Sequence, residues 1–75
     1  MEPEQFRQAR MLLLWSQEEL AFKAGVHVES IRRLETGRRG VGLEVISRVC
    51  LTLAAAGIEI GNGGEVWLKG RDAAE

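Results

Sequence analysis

The sequence predicts a mainly α fold: four to five short helices, then a short C-terminal β-hairpin or β-strand extension. Three observations predict it. Residues 16–37 read as two short helices broken at Gly25. Apolar residues recur at helical spacing on both sides of that pair. A segment near the end alternates in polarity around Gly61-Asn62-Gly63-Gly64.

Met1 to Glu4 is a short lead, with Pro3 acceptable just inside a helix start. The first helix is expected from about Glu4 to Trp15, Phe6, Ala9 and Leu13 keeping one face apolar. Met11, Leu12, Leu14 and Trp15 make it apolar on a second side, which something else must cover. Ser16 followed by Glu19 has the spacing of a capping box, in which a hydroxyl and a carboxylate each satisfy an orphan backbone amide. Leu20, Ala21 and Ala24 then form an inner stripe, and small Ala21 permits the close approach of a steeply crossing helix. Gly25 follows, where a left-handed residue is usual and glycine adopts it without a Cβ clash. Val26 restarts the apolar pattern, and Ile31 and Leu34 face inward from a second helix over 28–35. Two helices joined by a short Gly-containing turn form a helix-turn-helix.

Arg38-Arg39-Gly40-Val41-Gly42 is a basic loop. Helix 4 is expected from about Leu43 to Ala56, stopping at Gly57, with Leu43, Ile46, Cys50 and Leu53 as its inner stripe. Val45, Val49, Leu51 and Ala54 widen the apolar surface, so cover on both sides is expected. Ile58-Glu59-Ile60 and Glu65 to Lys69 flank an Asn-Gly, a strong short-range hairpin signal. An isolated hairpin is barely stable in water, so it is expected to pack on helix 4 or pair with its copy. The chain thus divides into a helical domain (1–57), a β extension (58–69) read as a dimerisation element, and a flexible tail (70–75).

The length admits one small domain, which buries only about 60% of its unfolded surface and gains from dimerisation. One cysteine, Cys50, rules out an internal disulfide, and one histidine, His27, leaves no credible zinc site. Neither a nucleophile–base pair nor a carboxylate cluster suggests an enzyme, and no cofactor or metal is expected. Without disulfides or a signal-like N-terminus, the expected compartment is the cytoplasm. No apolar run approaches the ~20 residues of a membrane span. Net charge is −1, yet Arg32, Arg33, Arg38 and Arg39 stand close together. A near-neutral domain can still carry one basic face.

The run Ser16-Gln17-Glu18-Glu19-Leu20-Ala21, then Ala24-Gly25-Val26, with Ile31, Leu34, Glu35 and Gly37, resembles the lambda-repressor and Cro-like (XRE-type) helix-turn-helix family over roughly residues 5–57. That resemblance implies a DNA-binding domain whose second motif helix lies in the major groove while the first crosses the backbone. It implies a structural ion pair between Arg10 and Glu35, at the positions where the family pairs helix 1 with the end of helix 3. Val28, Glu29 and Arg33 match base-contacting positions, with Arg32 on the flank. Arg33 suits a bidentate pair with guanine, Val28 a thymine methyl, and Glu29 a cytosine amine. Glu29 is equally placed to pair with Arg32 and Arg33 at i+3 and i+4. Gln17, His27, Ser30, Thr36, Arg38 and Arg39 are the expected phosphate contacts. His27 also reads simply as an exposed N-cap residue.

Two functions of different class emerge. One is a small homodimeric transcriptional regulator, a repressor bound to a palindromic double-stranded operator. Its dimer interface is expected from Leu51, Ile58, Ile60, Val66, Trp67 and Leu68. The other is a protein-interaction module, such as an antitoxin that neutralises a partner protein. There the apolar faces of helix 4 and the C-terminal hairpin would grip the partner, with DNA binding secondary or absent, and Phe22, Trp67 and Leu51 leave room for it.

Overall fold

The computed structural model describes residues 1–70: four helices followed by one antiparallel hairpin. The helices are α1 (Pro3–Leu12), α2 (Gln17–Ala24), α3 (Val28–Thr36) and α4 (Leu43–Ala55); the strands are β1 (Ile58–Ile60) and β2 (Val66–Leu68). The core is built from Phe6 and Ala9 of α1, Leu20, Ala21 and Ala24 of α2, Ile31 and Leu34 of α3, Val49 and Leu53 of α4, and Ile58 of β1. Every element except β2 places a buried side chain there, so α3 is held by apolar contact from several directions.

Helix α1 ends three residues before the expected Trp15. Leu14 adopts a left-handed φ of 60°, the one non-glycine residue with positive φ among the described residues. The Trp15 amide donates to the Arg10 carbonyl (3.2 Å) and the Leu14 amide to Met11 (3.0 Å), the paired bonds of a Schellman stop. The cause lies just downstream. Ser16 must be extended (φ −76°, ψ 167°) for its hydroxyl to accept from the Glu19 amide at 3.0 Å, while Glu19 Oε1 accepts from the Ser16 amide at 2.9 Å. A helix running through 15 would forbid that cap. The α2–α3 turn uses the same stop with glycine: Gly25 has φ 71°, and Val26 donates to Ala21 (3.0 Å).

An ion pair locks α1 to the end of α3. Arg10 Nε and Nη2 donate to Glu35 Oε2 (2.6 Å) and Oε1 (3.0 Å), a two-point fork, and Arg10 Nη1 donates to the Trp15 carbonyl (2.9 Å). Gln17 Nε2 donates to Glu35 Oε1 (3.1 Å), bringing the start of α2 into the same network. The side chains are 14% and 4% exposed, and hydrogen bonding to Glu35 raises the Arg10 guanidinium pKa despite an opposing desolvation.

Helix α4 differs from expectation in which face it buries. Val49 and Leu53 are fully buried; Val45, Ile46 and Cys50 are half-buried, but Leu43 is 84% exposed. Apolar residues occupy several sides of α4, so periodicity alone does not select a face. Packing against α2 and β1 does. Cover on both sides is not found within the described chain, since Leu51 is also 68% exposed.

The hairpin forms within one chain, Ile58 opposite Leu68, Glu59 opposite Trp67 and Ile60 opposite Val66. Gly61 donates to the Glu65 carbonyl (2.8 Å), and Gly64, at φ 88°, donates to Gly61 (3.0 Å). This is a three-residue turn with a left-handed final residue rather than a two-residue Asn-Gly turn. β1 lies on α4 and β2 on α1, and Gln5 Nε2 donates to the Gly64 carbonyl (2.9 Å). Ile58 and Leu68 face the helices, whereas Trp67 turns outward and donates from Nε1 to Glu59 Oε1 (3.1 Å). Ile58, expected at a dimer interface, is instead a core residue, because strand alternation turns it onto α4. The expected tail lies, apart from Gly70, outside the described residues.

Two stability outcomes follow. Leu14→Gly relieves the left-handed strain and, being 81% exposed, loses little packing. Net of glycine's extra chain entropy, it should gain about 0.5–1 kcal/mol in urea unfolding. Glu35→Ala strands the Arg10 charge and should cost about 3 kcal/mol in the same assay, with Arg10→Ala similar and the double variant falling short of their sum.

Candidate nucleic-acid interface

Helix α3 buries Ile31 and Leu34 and turns its remaining side chains outward. Gly37, at φ 75°, ends it, and the Arg38 amide donates back to the Arg33 carbonyl (2.9 Å). That bond brings the 38–40 loop alongside the last turn. A shallow groove results, lined by Gln17 of α2, Glu29, Arg32, Arg33 and Thr36 of α3, and Arg38 of the loop. Six of the ten expected DNA-contact residues are thereby gathered on one surface from three stretches of chain. His27, Val28 and Ser30 cluster at the start of α3, and Arg39 lies beside Arg33.

The four α3 and loop arginines divide into two kinds. Arg32 and Arg33 are ion-paired. Glu29 Oε1 lies 3.5 Å from Arg32 Nη1 and its Oε2 lies 3.6 Å from Arg33 Nε. Glu18 of α2 adds a contact to Arg32 Nη2 at 3.7 Å. Of the two readings left open for Glu29, its pairing with arginine is the one present in the free protein. Arg38 and Arg39 are exposed and make no side-chain ion pair among the described residues.

Arg33 also folds back across the loop. Its Nη1 donates to the Arg39 carbonyl at 3.5 Å, and a Cβ at Gly40 would stand 2.8 Å from that nitrogen. Gly40, at φ +98°, is required for its backbone conformation, and the Arg33 guanidinium occupies the space beside it. Arg33 Nε is shielded from water and has no hydrogen-bond acceptor among the described residues.

The remaining expected residues are less free than their positions suggest. Gln17 donates its amide nitrogen to Glu35, so its orientation is fixed by the α1–α3 ion pair. Thr36 Oγ1 donates to the Arg32 carbonyl (2.8 Å), leaving its oxygen as an outward acceptor. Val28 is half-buried and packs on the core, showing only part of its side chain. Ser30 is half-buried, its amide donating to His27 (3.0 Å). His27 is the exposed N-cap, extended at φ −73° and ψ 145°, and makes no side-chain cap bond.

Sequence reasoning missed Glu18 and Gly40. Glu18 meets Arg32 only because α2 and α3 cross, and no spacing rule reports an interhelical contact. Glycine in a basic loop signals flexibility; its role as a seat for Arg33 is a tertiary fact. Elsewhere on α2, Phe22 is 86% exposed, and Lys23 Nζ sits 5.0 Å above the Trp15 ring. No helix among the described residues is long and apolar enough to cross a membrane.

A protein-family profile described as helix-turn-helix matches residues 6–54, spanning α1 to the last turn of α4. A search of curated proteins returns no match.

Proposed function

The chain belongs to the lambda-repressor-like helix-turn-helix family of DNA-binding regulators, and from that premise we propose that it is a sequence-specific, homodimeric repressor. Helix α3 enters the major groove, with Val28, Glu29, Arg32 and Arg33 toward base edges. Gln17, His27, Ser30, Thr36, Arg38 and Arg39 take the flanking phosphates, which fix register rather than sequence. The observation that carries this reading is the groove that gathers Gln17 of α2, Arg32 and Arg33 of α3 and Arg38 of the following loop on one surface. Candidate phosphate-binding and base-reading side chains share that surface, as a helix laid in a groove requires.

Dimerisation is supported by size and by surface. A nine-residue helix rises only about 13 Å and spans few base pairs. Two copies of α3 set about 34–36 Å apart read a palindrome. Leu51 and Ile60 are exposed, Trp67 lies on the outer face of the hairpin, and among the described residues no third strand pairs with either edge of the two-stranded sheet. Val66 and Leu68 contribute only the parts left uncovered by the core. Occlusion of a promoter is the simplest activity of such a bound dimer. A second reading, an antitoxin-like module gripping another protein, draws on the exposure of Phe22 on α2 and Leu51 on α4.

Selection of bound duplexes from a random pool, then titration at several salt concentrations, tests the first reading. It predicts an enriched palindrome and a log–log salt slope of about −0.9 per phosphate neutralised. Arg38→Ala should weaken every sequence alike and flatten that slope by about 0.9. Arg33→Ala should relax one base position per half-site, at a cost of about 1–3 kcal/mol. No enriched motif and no binding near physiological salt would overturn it. Sedimentation of the purified protein should give twice the chain mass, and Leu51→Glu, a change at an exposed position, should halve that mass and weaken operator binding. A wild-type monomer would favour the protein-partner reading.

A further inference from the structure

Two carboxylates stand among the outward side chains of the groove helices, where a phosphate backbone would approach. Glu29 is in the first turn of α3, and Glu18 is in the first turn of α2. Each is favoured by its helix N-terminus, so each is locally comfortable. Neither is spare. Glu29 spans both Arg32 and Arg33, one carboxylate oxygen to each, and Glu18 reaches Arg32 from the neighbouring helix.

We propose that Glu29, supported by Glu18, is a specificity determinant that acts by withholding Arg32 and Arg33 from the phosphate backbone of unmatched DNA. This rests on the DNA-binding reading above. At 3.5, 3.6 and 3.7 Å the three contacts are Coulombic pairs without short hydrogen bonds. The side chains involved are 43–69% exposed, so the pairs exchange readily with a better acceptor. Arg33 Nε is shielded and makes no hydrogen bond, so its 3.6 Å contact with Glu29 is a charge pair only.

An unmatched duplex offers mainly phosphates, and non-specific affinity is almost wholly electrostatic. On that surface the carboxylates act twice, by occupying the two guanidiniums and by repelling the backbone. A matched site offers guanine O6 and N7 in the geometry a guanidinium binds bidentately, which displaces Glu29. Arg38 and Arg39 carry no such partner among the described residues and hold the protein on any duplex. A net charge of −1 agrees with this division, since it keeps general attraction to a duplex low. What matters to a regulator is the ratio of matched to unmatched affinity, and this arrangement raises the ratio by lowering its denominator.

The test titrates full-length wild type, Glu29→Gln and Glu18→Gln against a random-sequence duplex and against the duplex selected by wild type, at several salt concentrations. Both substitutions keep shape at exposed positions, and circular dichroism melting verifies the fold. Glu29→Gln should tighten random-duplex binding by about threefold to tenfold and steepen its salt slope by about 0.9. The selected duplex should gain less, so the specificity ratio falls. Glu18→Gln, which frees one contact of Arg32, should tighten random-duplex binding by about twofold. Unchanged random-duplex affinity and slope in both variants, with wild type still binding DNA, would overturn the inference alone. So would loss of selected-duplex affinity in Glu29→Gln with random binding unchanged, which is the behaviour of a carboxylate that reads a base. Wild type binding neither duplex would remove the DNA reading and this inference with it.

Discussion

The pairing of Arg10 with Glu35 is the constraint on which the disposition of α3 depends. Apolar contact through Ile31 and Leu34 seats that helix on the core, but contact of this kind is tolerant of rotation and sliding. The fork from Arg10 is not, because two parallel hydrogen bonds fix both distance and orientation. Its third donor reaches the Trp15 carbonyl, so the turn between α1 and α2 is tied in as well. Gln17 completes the arrangement from the start of α2. One buried carboxylate thus gathers α1, α2 and α3 at the end of the helix whose outer face carries the candidate site.

That outer face is assembled rather than inherited from a single segment. The Schellman stop at Gly25 sets where α3 begins, and the left-handed Gly37 turns the 38–40 loop back along it. Arg33 then lies across Gly40, tethered to the Arg39 carbonyl, and Glu29 stands between Arg32 and Arg33. The consequence is electrostatic. Ion-paired arginines over the helix face sit beside loop arginines that have no ion pair among the described residues. Exposed pairs of this type contribute little to stability, so their effect falls on what the arginines meet.

The C-terminal hairpin has a different status. Two strands of three residues do not stand alone in water, and here they do not have to. Ile58 enters the core, Leu68 packs beside it, and Gln5 reaches across from α1 to the turn. The hairpin therefore closes the helical domain before it offers anything to a partner. What it leaves outward is Trp67 against Glu59, the partly exposed Ile60 and its strand edges.

Sequence by itself determined the kind and order of the elements, since those follow from local rules. Ser16 and Glu19 can cap only a helix, Gly25 and Gly37 permit left-handed stops, and alternation around Gly61 to Gly64 asks for a hairpin. The resemblance carried by Ser16 to Gly37 located α3 and the Arg10–Glu35 pair. Tertiary structure decided the rest. No glycine or proline marks the end of α1; the cap at Ser16 imposes it, at the expense of a left-handed Leu14. Apolar residues surround α4, so only packing on α2 and β1 selects Val49 and Leu53 over Leu43. Ile58 reads alike as core or interface until α4 lies beneath it. The coupling of Glu18 to Arg32 and the seat of Arg33 on Gly40 depend on segments crossing in space, which spacing along the chain does not encode.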